Sequence, residues 1–151
     1  MPHNRGRPPI DPSTGYLVVR VAELIDRGFT ARLQRVQLRP RELHALRYVD
    51  ASDGISQREL ADALGVDAAN LIDTLDRLED AGLMRREANP GDRRRRRVTL
   101  TAAGRRRLEA GLRAANAADA DVLGVLGPDE RTALHDMMLR VYTARSQRRS
   151  A

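Results

Sequence analysis

Two short extended runs flank a turn in the middle of this chain, and any fold has to accommodate both that turn and its charge. The first run covers residues 83–87. The second covers 97–101, where Val98 and Leu100 face one way and Arg97 and Thr99 the other. Between them, Asn89-Pro90-Gly91-Asp92 offers a proline with preset φ and a glycine free to take positive φ. The pattern predicts a β-hairpin, and five consecutive arginines, Arg93-Arg94-Arg95-Arg96-Arg97, put a block of guanidinium groups at its tip. A projection with that charge fits a polyanionic groove. A solvated arginine loop would have the same composition, so the flanking sequence has to decide.

Immediately before the hairpin the sequence predicts two helices joined by a tight turn. Ser56-Gln57-Arg58-Glu59 is a capping box, in which Ser56 accepts from the Glu59 backbone and Glu59 reaches back. Leu60, Ala61 and Leu64 form the buried face of that helix, and Gly65 suits the left-handed position that closes it. Asp67 can cap the next helix, where Leu71, Leu75 and Leu78 repeat along one side as far as Gly82. Helix, glycine turn, helix is the helix-turn-helix pattern, and an arginine-rich hairpin following it directly points to duplex DNA.

Charge supports that placement. Between residues 85 and 107 there are ten arginines against Glu87 and Asp92, a local +8, so the rest of the chain carries −2 of the net +6. The chain has no lysine, which reflects coding bias as readily as function. With aromatics at 3% and no tryptophan, its core has to come from Leu, Val, Ile, Ala and Met, which favours packed helices. At 151 residues the length suits one domain, or one domain with helical extensions. The absence of cysteine fits a cytoplasmic protein and excludes thiol chemistry. No window is apolar enough for a membrane span, and the start of the chain lacks the apolar centre of a signal peptide.

Four further helices and an arm complete the prediction. Residues 1–12 are proline- and charge-rich and read as a flexible arm. A first helix begins near Ser13 or Thr14, with Val18, Ala22, Ile25, Phe29, Leu33 and Val36 as its stripe. Pro40 opens a second, carrying Leu43, Leu46 and Val49. Thr101 caps a long fifth helix containing Leu108, Leu112, Ala115, Val122 and Leu123. Gly104, Gly111 and Gly124 there imply bends or close helix contacts. Gly127-Pro128-Asp129-Glu130 starts a sixth, with a stripe of Leu134, Met137, Met138, Val141 and Tyr142 expected to be buried. The expected fold is mainly α with a small β-wing.

Over residues 16–142 the sequence resembles MarR-type transcriptional regulators. The match runs through Ser56-Gln57-Arg58-Glu59-Leu60-Ala61-Asp62-Ala63-Leu64-Gly65-Val66 and then Leu75-Asp76-Arg77-Leu78-Glu79-Asp80-Ala81-Gly82-Leu83-Met84-Arg85-Arg86. It continues in Asn89-Pro90-Gly91-Asp92-Arg93-Arg94 and Val98-Thr99-Leu100-Thr101-Ala102-Ala103-Gly104. The resemblance implies a homodimer reading a pseudo-palindrome, with a winged lobe at 39–101 and a helical dimerisation region at 13–38 and 102–147. Apolar stripes on the first and sixth helices, which a lone lobe would struggle to cover, agree with a shared helical layer.

The same resemblance places the minor-groove arginine at Arg94 and gives Asp92 the task of shaping the hairpin tip. A narrow minor groove has a deep negative potential that a planar guanidinium enters favourably. Arg93, Arg95 and Arg96 are expected on phosphates. Asn70 and Thr74 are the expected base-edge contacts, and Ser56, Gln57 and Arg58 open the preceding helix against the backbone. Arg77 and Arg86 are either phosphate contacts or partners within the protein. Relatives often carry Ser, Thr or Arg early in the reading helix, where this chain has Asp67, Ala68, Ala69 and Asp73. Asp67 is accounted for as a cap. Asp73 can accept from a cytosine amino group or pair with Arg77.

Family members often release DNA on binding small anionic aromatics. Tyr16, Arg20, His44 and Arg47 are the candidate effector contacts here, with Tyr48 assigned to the core. His3, His44 and His135 lack ligand spacing, so no metal and no cofactor are expected, and no nucleophile–base pair points to an enzyme. Two rivals to a cytoplasmic, nucleoid-associated repressor remain at this level. One is an architectural protein that binds any duplex without ligand control. The other is a basic RNA-binding domain, disfavoured by the scarcity of aromatics that stack on bases.

Overall fold

The computed structural model describes residues 13–52, 54–89 and 92–149; the side chains of residues 89, 92–95 and 145–149 are outside that description. The expected arm at 1–12, with His3, and the turn residues Pro90 and Gly91 also lie outside the described residues. The element order is α1 (Thr14–Arg35), α2 (Pro40–Ala51), α3 (Gln57–Leu64), α4 (Ala68–Asp80), β1 (Met84–Asn89), β2 (Asp92–Leu100), α5 (Ala102–Leu123) and α6 (Pro128–Arg149). Mainly helical with a two-stranded wing between the fourth and fifth helices, it is the fold class that the sequence predicts.

The chain divides into two compact units, Asp26–Ala118 and Met1–Ile25 with Asp119–Ala151. The first contains the main core: Leu33, Leu38, Leu43, Leu46, Leu60, Leu71, Leu75 and Leu78 are all almost inaccessible. This unit extends past 39–101 because Leu33 and Leu108 pack into the same cluster. Between α1 and α2, Gln37 takes a positive φ of 54° and Leu38 N donates to Leu33 O. That left-handed helix end carries no glycine, so no turn signal marks it in the sequence.

Local chemistry sets the boundaries around the helix pair. Ser56 Oγ accepts from Glu59 N at 3.2 Å, and the Glu59 carboxylate accepts from Ser56 N at 2.9 Å. Gly65 closes α3 at φ 64°. Asp67 stands at the N-cap of α4 in extended conformation, but its side chain makes no capping bond, which corrects the role given to it. At the far end Gly82 takes φ 68°, and Leu83 N donates to Leu78 O, turning the chain into the wing.

The wing starts as expected, with Val98 and Leu100 buried beside Met84 and Arg97 and Thr99 on the other face. Antiparallel pairing runs from Met84↔Leu100 to Ala88↔Arg96. It then jumps to Asn89↔Asp92, so Arg93, Arg94 and Arg95 fall within a register irregularity of β2. The arginine run is therefore part of a long second strand rather than a cluster on the turn. The strands persist because the tip residues keep pairing beyond the hydrophobic stretch that the sequence pattern marks. Ile55 adds an isolated bridge to Val98, which ties the entry of α3 to the sheet.

α5 is anchored through Thr101, as the cap expectation requires. Its Oγ1 accepts from Gly104 N at 2.9 Å and donates to Gly82 O at 2.7 Å. Gly104 and Gly111 are close-approach positions: a Cβ at Gly104 would lie 2.0 Å from Leu83 O, and one at Gly111 would lie 2.6 Å from Leu43 Cδ1. Gly124 falls just past the end of α5. On α6, Met137, Met138, Val141 and Tyr142 are exposed in the single chain rather than buried, and Val18 on α1 is exposed too. Tyr48, assigned to the core, is 41% exposed. On α6 the apolar stripe has no cover among the described residues, whereas Tyr48 stands on the outer side of α2, whose Leu43, Leu46 and Val49 are buried.

Candidate nucleic-acid interface

The lobe presents three basic or polar elements: the start of α3, the outer face of α4 and the arginine strand of the wing. α4 buries Leu71, Thr74, Leu75 and Leu78 along one stripe. Helical periodicity then turns Asn70 and Asp73, one turn apart, away from the core, and both are exposed. Thr74 is only 6% exposed. Its place on the inward stripe leaves little of the hydroxyl for a base edge, a correction to its assignment as a reader. Ser56 gives its hydroxyl to the α3 cap, whereas Gln57 is half-buried and Arg58 is exposed.

For Arg77 and Arg86 the structure favours protein partners over phosphate. Arg77 Nη2 donates to Glu42 Oε1, and Glu42, only 7% exposed, also accepts from Arg39 N at 2.7 Å through Oε2. One buried carboxylate thus closes the first turn of α2 and ties it to α4. Arg86 donates to Glu79 and to Asp76, both at 2.7 Å, so β1 is clamped to α4 by two carboxylates. Of the two alternatives for these arginines, the structure shows the partners within the protein, and their guanidiniums align the reading helix and the wing. Sequence spacing could not reveal this, because Glu42 and Arg77 are 35 residues apart.

Further along the wing, Arg97 bonds Glu87 across the strands at 2.9 Å, while Arg96 is exposed. Asp92, Arg93, Arg94 and Arg95 are placed by backbone only, in β2. Two residues that the sequence reading missed are Arg39 and Arg41. With Asn70, Asp73, Thr74, Asp76 and Arg77 they line an open cleft of about 560 Å³ between the start of α2 and the outer face of α4. The available signal was two arginines flanking the proline that opens a helix, beside a positive helix terminus.

The candidate effector residues are distributed over both units. Tyr16 and Arg20 lie on α1 within Met1–Ile25, and His44 and Arg47 lie on α2 within Asp26–Ala118. Arg20 is bonded to Glu23 at 2.5 Å. His44 stacks obliquely near Phe29, with ring centroids 6.4 Å apart. Partial burial, and then the nearby Arg47 charge, hold its pKa below the usual imidazole value, so it is neutral at pH 7. Among the described residues no group of His, Cys, Asp and Glu is placed to hold a metal ion, and no helix is long and apolar enough to cross a membrane.

Comparison with known proteins places this arrangement. The MarR family model matches residues 38–95. Rv2887 of Mycobacterium tuberculosis, an HTH-type transcriptional repressor, is 37% identical over 110 residues, spanning 71% of this chain and 79% of the relative. The chain belongs to the MarR family. HosA of Escherichia coli, another transcriptional regulator, is 34% identical over 99 residues, 66% of this chain and 73% of HosA. Among solved MarR-family structures, Rv2887 in complex with DNA superposes with TM-score 0.74 at 31% identity, covering 87% of this chain and 98% of that one. CouR bound to a 23-mer DNA duplex gives TM-score 0.75 at 32% identity, covering 86% and 92%. CouR of Rhodococcus jostii RHA1 bound to p-coumaroyl-CoA gives 0.72 at 25%, covering 84% and 90%. As a MarR-family protein the chain is a DNA-binding transcriptional regulator and not an enzyme.

Proposed function

We propose that this regulator is a homodimeric repressor that reads a pseudo-palindromic operator with two winged lobes and is released by a small anionic or aromatic ligand. The observation that carries the dimer is a set of exposed apolar side chains on α1 and α6, among them Tyr16, Val19, Met137, Val141 and Tyr142. Apolar surface of that extent is covered in solution, and a two-fold relation covers it with its own copy. Residues 39–101 then act as the DNA lobe, and 13–38 with 102–147 act as the dimerisation region. Repression follows the description of Rv2887. A ligand that is both aromatic and anionic follows CouR, whose p-coumaroyl-CoA has both characters. Tyr16, Arg20, His44 and Arg47 are its proposed contacts, and acting on the chromosome places the protein in the cytoplasm.

Within the wing, Arg94 enters the minor groove, Asp92 shapes the tip, and Arg93, Arg95 and Arg96 hold phosphates. Asn70 reads a base edge, and Gln57 and Arg58 meet the backbone. The test compares two substitutions on operator and random duplex. Arg94→Ala is expected to weaken operator binding by about 1–3 kcal/mol and to relax preference in A·T-rich flanks. Arg95→Ala is expected to weaken both duplexes alike. Identical behaviour of the two variants on both duplexes would contradict this assignment.

A further inference from the structure

We infer that Asp73 is a base-reading residue that selects cytosine at one position of each half-site, an inference that rests on the DNA-binding reading above. Of the other acids on α4, Asp76 and Glu79 hold Arg86. Arg77, a turn away from Asp73 on α4, is bonded to Glu42 instead. Asp73 itself has no hydrogen bond or ion pair among the described residues, and it is exposed on the same outward face as Asn70. An unpartnered carboxylate on the face of a reading helix repels every phosphate it approaches, so it weakens all duplex binding unless a base compensates.

The chemistry of the major groove leaves one base that can. An ionised carboxylate only accepts hydrogen bonds. Guanine presents two acceptors, N7 and O6, and repels it. Thymine presents the O4 acceptor and a methyl group, and adenine sets its N7 acceptor beside the N6 donor. Cytosine offers the N4 amino donor and no acceptor of its own on that edge. Asp73 therefore works as much by rejecting three bases as by accepting from the fourth.

The cleft supplies the second half of the argument. Arg39 and Arg41 share it with Asp73 and Asn70, and neither side chain has an ion pair among the described residues. Two cations lining the same cleft offset its repulsion of DNA where the strand carrying the selected base runs past α2, by holding that strand's phosphates. The pairing divides the work: the arginines add affinity for any sequence, and the aspartate makes that affinity conditional on the base.

The test is selection from a randomised duplex pool with the full-length wild type, Asp73→Asn and Asp73→Ala. Wild type is expected to enrich cytosine about tenfold over the other bases at one position of each half-site. Asp73→Ala should lose that preference alone, keep the rest of the consensus, and bind random duplex at least as tightly as wild type. Asp73→Asn should shift the same position towards adenine, which an amide can pair with at N6 and N7. Because Asp73 is exposed and unpartnered, all three proteins should share one thermal midpoint, which separates a reading effect from a folding one. The same consensus from all three would overturn the inference while leaving the regulator intact. No consensus from wild type would overturn sequence-specific binding and this inference together.

Discussion

Replacing Gly104 with valine is expected to unfold the DNA-binding lobe. The first turn of α5 rests on the chain at Leu83, whose carbonyl oxygen would lie 2.0 Å from a Cβ at Gly104 and whose carbonyl carbon would lie 3.0 Å away. Both are backbone atoms, so no rotamer change relieves the overlap. Leu83 O also accepts from Thr101 N at 3.1 Å, and Thr101 Oγ1 holds both Gly82 O and Gly104 N. Moving the helix away would break the joint between wing and α5. Overpacking typically costs about 1–3 kcal/mol and occasionally more. Clash with fixed backbone puts even alanine at about 3 kcal/mol, a large share of the roughly 5–15 kcal/mol that holds a domain folded. Gly15 on α1 is the control, since a Cβ there meets nothing within 4 Å. Gly15→Ala should be neutral or stabilise by up to about 1 kcal/mol. Urea denaturation of the two variants measures the contrast, and similar midpoints would contradict it.

The second large effect concerns assembly. Val141→Asp places a charge on a side chain that is 60% exposed in the single chain, where it costs the isolated fold almost nothing. In a dimer that buries the face, the same carboxylate has to be desolvated without a partner. Sedimentation equilibrium should give a mass near twice 16.8 kDa for wild type and close to 16.8 kDa for the variant at micromolar concentration. Losing the second lobe removes the effective concentration that links two half-sites, so operator affinity should fall by about 100-fold or more. A variant that stays dimeric, or a monomer that binds the operator as well as wild type, would remove α6 from the interface.

Much of the lobe was legible because its signals are local. The Ser56–Glu59 box, Gly65, Gly82 and the Thr101 cap each fix a boundary through residues within a few positions of one another. Alternation at Val98 and Leu100 likewise gives the buried face of β2. What the sequence hid is long-range or depends on assembly. The carboxylate that engages Arg77 comes from α2, and the two that hold Arg86 come from α4. An arginine looks the same in sequence whether it faces phosphate or glutamate. Thr74 was misassigned because a threonine on a reading helix can face either way, and here it falls on the stripe of Leu71, Leu75 and Leu78. The α6 stripe has the right period for burial, yet Met137 and Tyr142 are open in one chain. Periodicity says that a face will be covered and does not say by what. The arginine run was placed at the hairpin tip, but β2 includes it, with Arg96 and Arg97 paired to Ala88 and Glu87 of β1 and Arg93, Arg94 and Arg95 in the register irregularity beyond them.

Sequence-specific binding by a dimer is tested most directly by titrating the protein onto its operator and onto random duplex across a range of salt. Arginines from two lobes can neutralise on the order of six to ten phosphates, so log affinity should fall with log salt at a slope of roughly −5 to −9. Binding to the operator should saturate at one dimer per site and persist at salt concentrations where random duplex is already released, because base contacts add affinity that counterions do not compete for. Equal affinity for operator and random duplex at every salt concentration would contradict the account and leave a sequence-indifferent DNA-binding protein in its place.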